Sequence, residues 1–425
     1  MKFETISVVG LGYIGLPTAA VFASRKLRVI GVDVNEHAVE TINRGQIHIM
    51  EPDLDMVVHA GVVEGYLRAT TTPEPADAFL IAVPTPFKDG HQPDLSYVES
   101  AARSIAAVLK AGDLVILEST SPVGATEQMA EWLAQARPDL TFPQTHGEAA
   151  EIRIAYCPER VLPGQVLREL VQNDRVIGGM TSKCSEAAAS LYRIFVKGEC
   201  VLTNARTAEM CKLTENSFRD VNIAFANELS IICDELGINV WELVKLANRH
   251  PRVNILQPGP GVGGHCIAVD PWFIVSRTPE LAKLIRSARQ VNDSKPDWVV
   301  EKVKLAVADY LQENPNKTAK DVTIACYGLA FKPDIDDLRE SPALGVAKAL
   351  NESHSGRFVI IEPHIEAVPV GFSEDVELLK FCGITVKADV SVLLVNHHAF
   401  KGMDLLKAGL VIDACGMLQT GGACK

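Results

Sequence analysis

The stretch Ile6-Ser-Val-Val-Gly-Leu-Gly-Tyr-Ile-Gly15 decides the fold of this chain. Its first four residues predict a short buried strand, and the pattern G-x-G-x-x-G follows at once. A helix over 16–25 and a second strand over 27–32 complete a βαβ unit. The sequence therefore predicts a doubly wound, Rossmann-like domain at the N-terminus.

The glycines of this turn suit a dinucleotide. Gly10 makes the turn, Gly12 lets the backbone reach a pyrophosphate, and Gly15 allows close packing of helix on strand. The phosphates would then lie at the helix N-terminus, where amide groups favour an anion. Asp33 follows 18 residues after Gly15, where an acid accepts from a ribose 2′-hydroxyl and repels a 2′-phosphate. We expect NAD rather than NADP, with Tyr13 and Ile14 also in the cofactor site.

Polar residues follow the next predicted strands. Thr85 comes after the strand over 78–83, Thr120 after the strand over 114–117, and Glu159 after a strand that begins at Ile154. Ligands of open α/β sheets bind beyond the carboxyl ends of strands, so Thr85 and Thr120 are candidates for cofactor contact. Capping of the next helix explains either threonine at least as well. We expect the cofactor domain to cover residues 1–203.

The middle of the chain has a different character. No Gly or Pro interrupts 205–236, and Gly237 follows, which predicts one long helix able to bridge two domains. Lys212 and Asn216 share a face of this helix, although a solvated Lys and Asn would look the same. We expect a central helical domain over 204–313.

A glycine-rich loop in this central domain contains Cys266 and, four residues later, Asp270. Glycines 261, 263 and 264 leave the backbone bare before the thiol, so the sulfur could reach a substrate. Taken alone, such a segment is more often a surface turn with a semi-buried Cys.

The C-terminal part, 314–425, reads as a smaller α/β domain after a polar linker at 314–320, and we expect it to be a second Rossmann-like, doubly wound domain joined to the first by the central helical domain. Its predicted elements are strands at 322–327, 357–361, 391–395 and 410–413 and a helix at 343–351. Gly328 is not followed by a second G-x-G-x-x-G, so a second cofactor site is not expected. Lys332 and Arg339 could bind phosphate, but a loop of salt bridges is an equally good interpretation; its acids would be Asp334, Asp336, Asp337 and Glu340.

Composition narrows the class of protein. The net charge of −12 argues against nucleic-acid binding. No run reaches the 18 or so uninterrupted apolar residues of a transmembrane helix. The ten cysteines include no C-x-x-C pair, so we expect neither a metal site nor a disulfide framework. A cytoplasmic enzyme without a membrane partner is expected.

Several motifs occur in a fixed order along the chain. They are Gly10-x-Gly-x-x-Gly15, Ser119-Thr120-x-Pro-x-Gly124, Pro158-Glu159, Ala208-Glu-x-x-Lys212-x-x-x-Asn216, Gly261-x-Gly-Gly-x-Cys266-x-x-x-Asp270, and Phe331-Lys332 with Arg339-x-Ser-Pro342. Together they resemble the UDP-glucose/GDP-mannose dehydrogenase family over nearly the whole chain. The segments 157–164 and 263–272 are most similar to the branch that oxidises UDP-N-acetyl-D-mannosamine.

The resemblance implies a four-electron oxidation of the sugar C6 alcohol to a carboxylate, with two NAD and one water. Cys266 would be the nucleophile, forming a thiohemiacetal and then a thioester. Lys212 and Asn216 match positions that steady the oxyanion, and Asp270 and Thr120 match groups that order a water.

Glu159 matches the carboxylate that assists hydrolysis of that thioester. Where glucose-specific relatives carry a second Glu four residues later, this chain has Pro163, which suits an N-acetylated hexosamine.

The resemblance also implies substrate contacts and an assembly. The expected sugar-nucleotide contacts are Arg160, Val161, Lys212, Asn216, Arg252, Gly263 and Lys332, with Arg339 at the cofactor. Arg252 would act from a neighbouring subunit of a homodimer formed through the helical middle. The uronic acid product would serve a surface polysaccharide, the enterobacterial common antigen.

Three alternatives stay open at this point. The same chemistry could act on UDP-N-acetylglucosamine or another UDP-hexose. A two-electron dehydrogenase would form one NADH per sugar and would need Cys266 only for packing. A nucleotide-sensing protein would bind NAD without turnover.

Overall fold

The computed structural model describes residues 2–162, 164–264, 266–381, 386–403 and 409–420. Pro163 and His265, which belong to the motifs above, lie outside these residues. The chain divides into two compact units. The N-terminal unit comprises residues 1–215 and 272–279, and the C-terminal unit comprises residues 216–271 and 280–425.

The N-terminal unit is built on one large sheet. The strands of this sheet are β1 (Thr5–Val9), β2 (Arg28–Val32), β3 (Leu67–Thr70), β4 (Ala78–Ile81), β7 (Leu114–Leu117), β8 (Arg153–Tyr156), β9 (Arg175–Gly179) and β10 (Cys200–Asn204). Strands β5 (Phe87–Lys88) and β6 (Gln92–Pro93) form a separate hairpin. The sheet order is β10-β9-β8-β7-β4-β1-β2-β3. The six strands from β8 through β7, β4, β1 and β2 to β3 pair with their neighbours in parallel, and β9 pairs with β8 antiparallel. The order 3-2-1-4 with further strands beyond is that of a dinucleotide-binding fold.

Helices cover both faces of this sheet. They are α1 (Gly15–Ser24), α2 (Glu36–Asn43), α3 (Leu54–Val63), α4 (Ser96–Ala106), α5 (Ala125–Ala136), α6 (Pro143–His146), α7 (Val166–Gln172) and α8 (Ser182–Tyr192). Alternate residues of one strand enter different cores: Ile6 and Val8 belong to one apolar cluster, Val9 to the other. Strands buried on both faces read as continuous apolar runs, as the sequence does here.

The helical part of the chain begins with α9 (Ala205–Glu235), which passes from the N-terminal unit into the C-terminal unit between residues 215 and 216. It is followed by α10 (Val240–Ala247), α11 (Asp270–Arg277) and α12 (Lys283–Glu313). The predicted long helix over 205–236 is confirmed. Helix α11 was not predicted, because the sequence reads as loop up to Trp272.

The C-terminal unit holds a second doubly wound sheet, with β11 (Ile324–Tyr327), β12 (Phe358–Ile361), β13 (Glu377–Leu379), β14 (Val390–Leu393), β15 (Leu410–Asp413) and helix α13 (Pro342–Ser353). The sheet order is β13-β12-β11-β14-β15, and all its pairs are parallel. The predicted α/β class with two Rossmann-like sheets is therefore confirmed. Among the described residues, no helix combines the length and apolar character that a membrane crossing requires.

Candidate active site

The turn after β1 lies where the strand order of the N-terminal sheet reverses. Gly10 has a φ of 91° and donates its N–H to the Val32 carbonyl at 2.8 Å. A Cβ on Gly10 would lie 2.6 Å from the Ala82 carbonyl oxygen, and one on Gly15 would lie 1.8 Å from the Gly10 carbonyl oxygen. A Cβ on Gly12 would meet no atom within 4 Å. Packing of the protein thus explains Gly10 and Gly15, while Gly12 borders open space.

Helix α1 begins at this turn without a capping side chain and without an acid in its first turn. Ile14 is its N-cap residue, and Tyr13 beside it is exposed. Unsatisfied amides and the helix dipole make such an end attractive to phosphate. The residues present therefore fit a dinucleotide pyrophosphate.

Asp33 is held at the end of β2 by two backbone amides. Its Oδ2 accepts the N–H of Leu11 at 2.8 Å, and its Oδ1 accepts the N–H of Asn35 at 2.9 Å. The side chain is half-buried, so its remaining lone pairs can accept a hydroxyl. This geometry fits an adenosine ribose.

Thr85 and Thr120 are tied to each other rather than to a helix. The Thr85 hydroxyl donates to the Thr120 carbonyl at 2.6 Å. Helix α4 begins at Ser96, and helix α5 follows Gly124. The capping interpretation is therefore wrong for both threonines, and the two residues join the ends of neighbouring segments at the carboxyl edge of the sheet.

Glu159 lies in a buried ion pair. Its Oε2 accepts from Arg175 Nη2 at 2.8 Å, and its Oε1 accepts the Arg160 N–H at 2.8 Å. Arg160 in turn pairs its guanidinium with Glu215, at 2.6 Å from Nη2 to Oε1. Val161 packs against the apolar core. The guanidinium of Arg160 thus has a protein partner already.

Sequence reasoning missed Arg175, the cation of this ion pair, and the two residues beside it, Glu118 and Tyr192. The Tyr192 hydroxyl donates to Glu118 Oε1 at 2.6 Å, and the Arg175 guanidinium carbon lies 4.5 Å from the Tyr192 ring centroid. Burial raises the pKa of Glu118 to about 7, with Arg175 acting against it. Glu118 directly precedes the Ser119-Thr120 motif, but nothing local marked Arg175 or Tyr192.

Cys266 is exposed in the C-terminal unit, as the glycine loop predicted. Its carbonyl accepts the amides of Val269 at 3.1 Å and Asp270 at 2.9 Å. Asp270 is buried as the first residue of α11 and accepts a hydrogen bond from the Asn216 side chain. An acid is favourable at a helix N-terminus. Three of the predicted catalytic residues therefore belong to one local arrangement.

The other thiols differ from Cys266. Burial raises the pKa of Cys157 to about 12, which keeps it a thiol at neutral pH. No disulfide joins the cysteines in the described part of the chain. Among the eight cysteines that the structure describes, Cys266 is the exposed one, which makes it the thiol of this set that can meet a substrate.

The loop glycines have a further reason. A Cβ on Gly263 would lie 2.5 Å from the Glu340 carbonyl oxygen, and one on Gly264 would lie 2.9 Å from the Phe331 ring. The Gly264 amide donates to the Arg339 carbonyl at 3.1 Å. The bare backbone therefore lets the Cys266 loop pack on the segment 331–342.

Arg339 supports the salt-bridge interpretation, because its guanidinium pairs with Asp337 at 2.6 Å. Lys332 is half-buried on the same segment, and Arg252 is exposed. Lys212 is half-buried on α9, one turn before Asn216. The structure thus places Lys212 in the N-terminal unit and the other residues named here in the C-terminal unit.

One set of potential metal ligands occurs in the described residues: Asp334, His364 and His397. The Nδ1 of buried His397 accepts the Asp334 amide at 2.9 Å, and its Nε2 lies 3.3 Å from Glu362 Oε2. Both ring nitrogens therefore already face protein groups. This arrangement favours a structural histidine.

Comparison with known proteins decides the family. The model for the NAD binding domain of the UDP-glucose/GDP-mannose dehydrogenase family matches residues 4–196, its central domain matches 206–294, and its UDP binding domain matches 325–420. The chain belongs to the UDP-glucose/GDP-mannose dehydrogenase family.

Members of this family with high similarity have different sugars in their names. The chain is 70% identical to UDP-N-acetyl-D-mannosamine dehydrogenase of Yersinia pestis, covering 98% of this chain and 100% of the relative. It is 65% identical to NDP-N-acetyl-D-galactosaminuronic acid dehydrogenase of Ralstonia nicotianae, covering 98% and 97%. The solved UDP-D-ManNAc dehydrogenase of Pyrococcus horikoshii matches with a TM-score of 0.85, 39% identity, and coverage of 97% and 96%. As a dehydrogenase of this family, the chain is an enzyme whose cofactor is NAD.

Proposed function

We propose that this dehydrogenase oxidises UDP-N-acetyl-D-mannosamine at C6 to UDP-N-acetyl-D-mannosaminuronate. The observation that carries the proposal is the arrangement of exposed Cys266 one turn before buried Asp270, which Asn216 contacts. A two-electron alcohol oxidation needs no thiol. Oxidation of an aldehyde to an acid does, because a thiolate can hold it as a thiohemiacetal.

The electron balance requires two hydride transfers and one water. When bound, NAD would supply the hydride acceptor for both oxidations at the sugar C6. Between them the Cys266 sulfur adds to the aldehyde, and after the second the thioester is cleaved by water, which returns the thiolate. We assign Lys212 and Asn216 to the oxyanion, which needs fixed donors where charge develops.

Proton handling falls to three further residues. Asp270 and Thr120 would order a water for proton transfer at C6, and Glu159 would assist thioester hydrolysis. Two hydrogen bonds, one from a backbone amide and one from a guanidinium, hold the Glu159 carboxylate in a fixed orientation. Such a group accepts a hydrogen bond from water without itself requiring a proton.

Binding is assigned to the remaining predicted residues. The cofactor contacts are Gly10, Gly12, Tyr13, Ile14, Gly15, Asp33, Thr85, Thr120 and Arg339; the sugar-nucleotide contacts are Arg160, Val161, Lys212, Asn216, Arg252, Gly263 and Lys332. Two of the guanidinium groups, those of Arg160 and Arg339, are paired with Glu215 and Asp337. Their ligand roles would require sharing or release of those acids.

We propose three functional segments: a cofactor domain over 1–203, a helical segment over 204–313 and a UDP-sugar domain over 314–425. Exposed Phe218, Phe225 and Ile232 follow one another on α9 at spacings of seven residues. A stripe of this kind supports a homodimer through the helical middle. Arg252 would then act in the partner's site.

The proposed setting is the cytoplasm, where the uronic acid product would enter a surface polysaccharide such as the enterobacterial common antigen. Pocket shape, rather than the chemistry at C6, selects the sugar, because it reads the stereochemistry at C2 and C4. The alternative is the same oxidation of UDP-N-acetylglucosamine or another UDP-hexose, and the Ralstonia relative makes a galacto-configured sugar part of that comparison.

The test measures NADH formed per mole of sugar at completion, for a panel of UDP-N-acetylhexosamines and for Cys266→Ser. We expect a ratio near two with UDP-N-acetyl-D-mannosamine and a sharp loss in the variant, since an alcohol cannot replace the thiolate. Buried Cys326→Ser, in β11 of the C-terminal unit, is the matched control for thiol loss. A ratio near one with this sugar, or an unchanged ratio in Cys266→Ser, would reject the thioester route.

A further inference from the structure

Arg175 occupies an unusual position for a strand residue. Its side chain is only 4% exposed, and its guanidinium contacts Glu159 at 2.8 Å and Cys157 Sγ at 3.7 Å. The guanidinium also lies over the ring of Tyr192. A buried guanidinium is stable only when nearby anions compensate for the lost hydration.

A second carboxylate faces the same cation. Glu118 follows β7 and is 2% exposed. Tyr192 donates to one of its oxygens, while the other has no hydrogen-bond partner among the described residues. The charged and titratable groups that face Glu118 are Arg175 from β9, Glu159 and Cys157 after β8, and Tyr192 from α8.

The charges of this cluster do not balance when both acids are ionised. One guanidinium then serves two carboxylates, and the buried set carries a net charge of −1. Protonation of Glu118 brings the set to neutrality. Burial raises the pKa of Glu118 to about 7, with Arg175 lowering it and the charge of Glu159 raising it. Glu159, by contrast, accepts hydrogen bonds from the Arg175 guanidinium and the Arg160 amide.

The proton on Glu118 therefore changes how strongly Arg175 holds Glu159. When Glu118 is neutral, the full charge of Arg175 acts on Glu159, and the carboxylate is a weak acceptor. When Glu118 is ionised, the guanidinium is shared, and Glu159 becomes a better acceptor for a water proton. Nearby charges alter carboxylate basicity in this direction.

We propose that Arg175 is the positioning residue of Glu159 and that Glu118 is the acid that adjusts its basicity during thioester hydrolysis. The inference rests on the role proposed above for Glu159. In that step the water oxygen bonds to the thioester carbon, and the C–S bond breaks with its electron pair on Cys266. One water proton passes by way of Glu159 to solvent, and the second is released to solvent when the acid product ionises.

The experiment follows the acyl-enzyme directly. Enzyme, UDP-N-acetyl-D-mannosamine and NAD are mixed in a series of buffers between pH 6 and 8, and each reaction is quenched with acid at successive times. Intact-protein mass spectrometry of the quenched samples gives the lifetime of the adduct on Cys266. Stopped-flow absorbance gives the rate of the first NADH in the same mixtures. The variants are Glu118→Gln, Tyr192→Phe and Arg175→Lys, each checked for its thermal midpoint.

The matched control is Glu209→Gln. Glu209 is another fully buried acid of the N-terminal unit, bonded to the amides of Gly124 and Thr126 and to no member of the cluster. Its loss reproduces the general cost of removing a buried carboxylate. We expect the pH profile of adduct decay to keep its wild-type shape in this control.

In the wild type we expect adduct decay to accelerate as pH rises through about 7. Glu118→Gln should hold the slow, low-pH rate across this range, on the order of three- to tenfold below wild type at pH 8. The hydrogen bond from Tyr192 lowers the pKa of Glu118 by stabilising its ionised form. Tyr192→Phe removes this bond and should therefore move the inflection of the decay rate to higher pH. Arg175→Lys should lengthen the adduct lifetime with the first NADH unchanged.

Wild-type profiles in folded Glu118→Gln and Tyr192→Phe would overturn the proposal, even if Arg175→Lys failed to fold. Failure of the proposed function is separate. If Glu159→Gln and wild type form no adduct on Cys266 at any time, the thioester route itself is rejected.

Discussion

The two sheets contain the same turn with different outcomes. After β1, Gly10 has a φ of 91°, and after β11, Gly328 has a φ of 90°. The next amide donates to an acid at the end of the neighbouring strand: Leu11 to Asp33 at 2.8 Å, and Leu329 to Glu362 at 2.7 Å. Each acid also accepts the amide two residues after itself.

The difference lies in what covers the acid. Asp33 is half-buried beside open space at Gly12. Glu362 is fully buried, with His397 Nε2 at 3.3 Å. In the first turn a helix begins at Gly15, whereas in the second the next helix begins only at Pro342. A strand–turn–acid arrangement is thus a structural unit, and access to the acid decides whether a ribose can bind.

The largest expected effect tests the shared part of the comparison. Gly10→Ala and Gly328→Ala should each lower the free energy of unfolding by about 4 kcal/mol, because both place a Cβ on a left-handed residue against neighbouring atoms. Urea unfolding measures this. Gly345→Ala is the control, since its added Cβ meets no atom within 4 Å. Equal loss in that variant would remove the special status of the turn.

Next in size is the histidine that covers Glu362. His397→Ala should lower the free energy of unfolding by about 3 kcal/mol, because it removes the imidazole beside the buried Glu362 carboxylate and leaves that acid with its two amide donors alone. Burial alone would raise the pKa of Glu362, but hydrogen bonds from His397 and two amides outweigh it and lower the pKa. A lowered pKa contributes stability above the unfolded value near 4.5 that is lost as pH falls through the folded value.

Thermal midpoints from pH 7 to 3 measure this contribution. In the wild type the thermal midpoint should fall as the pH drops below about 4.5. In His397→Ala this acid-dependent fall should be smaller, because the folded pKa of Glu362 loses one of its lowering causes and moves toward or above the unfolded value. Solvent-exposed His398→Ala provides the comparison of a lost imidazole. Identical acid limits in wild type and His397→Ala would show that His397 does not stabilise the ionised acid.

Substitution of Asp33 should affect cofactor binding more than stability, in contrast to substitution of His397. Asp33→Asn is expected to cost only about 1 kcal/mol of stability, since one amide acceptor remains. Its effect should appear in the cofactor: about tenfold weaker NAD binding, with less discrimination against NADP. Isothermal titration with both cofactors measures it. Unchanged discrimination would place the ribose elsewhere.

The smallest effect on stability is expected at Gly12. Gly12→Ala should change the free energy of unfolding by less than about 0.5 kcal/mol, because the added Cβ meets open space. NAD affinity should nevertheless fall, since the Cβ would occupy the approach of the pyrophosphate. A variant with full NAD affinity would separate this glycine from the cofactor.

The features that the sequence predicts are those encoded locally. The strand, the glycine turn and Asp33 lie within 33 residues, and Cys266 and Asp270 within one loop. The pairing of Arg175 with Glu159 depends on β9 running antiparallel to β8, and an apolar run does not state its direction. The helical spacing of apolar residues likewise includes Phe218, but the spacing alone does not show that 70% of this residue is exposed.

Residues 272–279 belong to the N-terminal unit although the chain leaves that unit at residue 215. Within the unit Trp272 stacks on His91 at 4.1 Å, and Phe273 meets Phe87 edge-on. A gene fragment that ends at residue 215 would therefore encode an N-terminal unit that lacks the aromatic side chains of Trp272 and Phe273. Its hairpin over 87–93 would face water, so a soluble cofactor module requires either a circularly permuted chain or a grafted copy of this short helix.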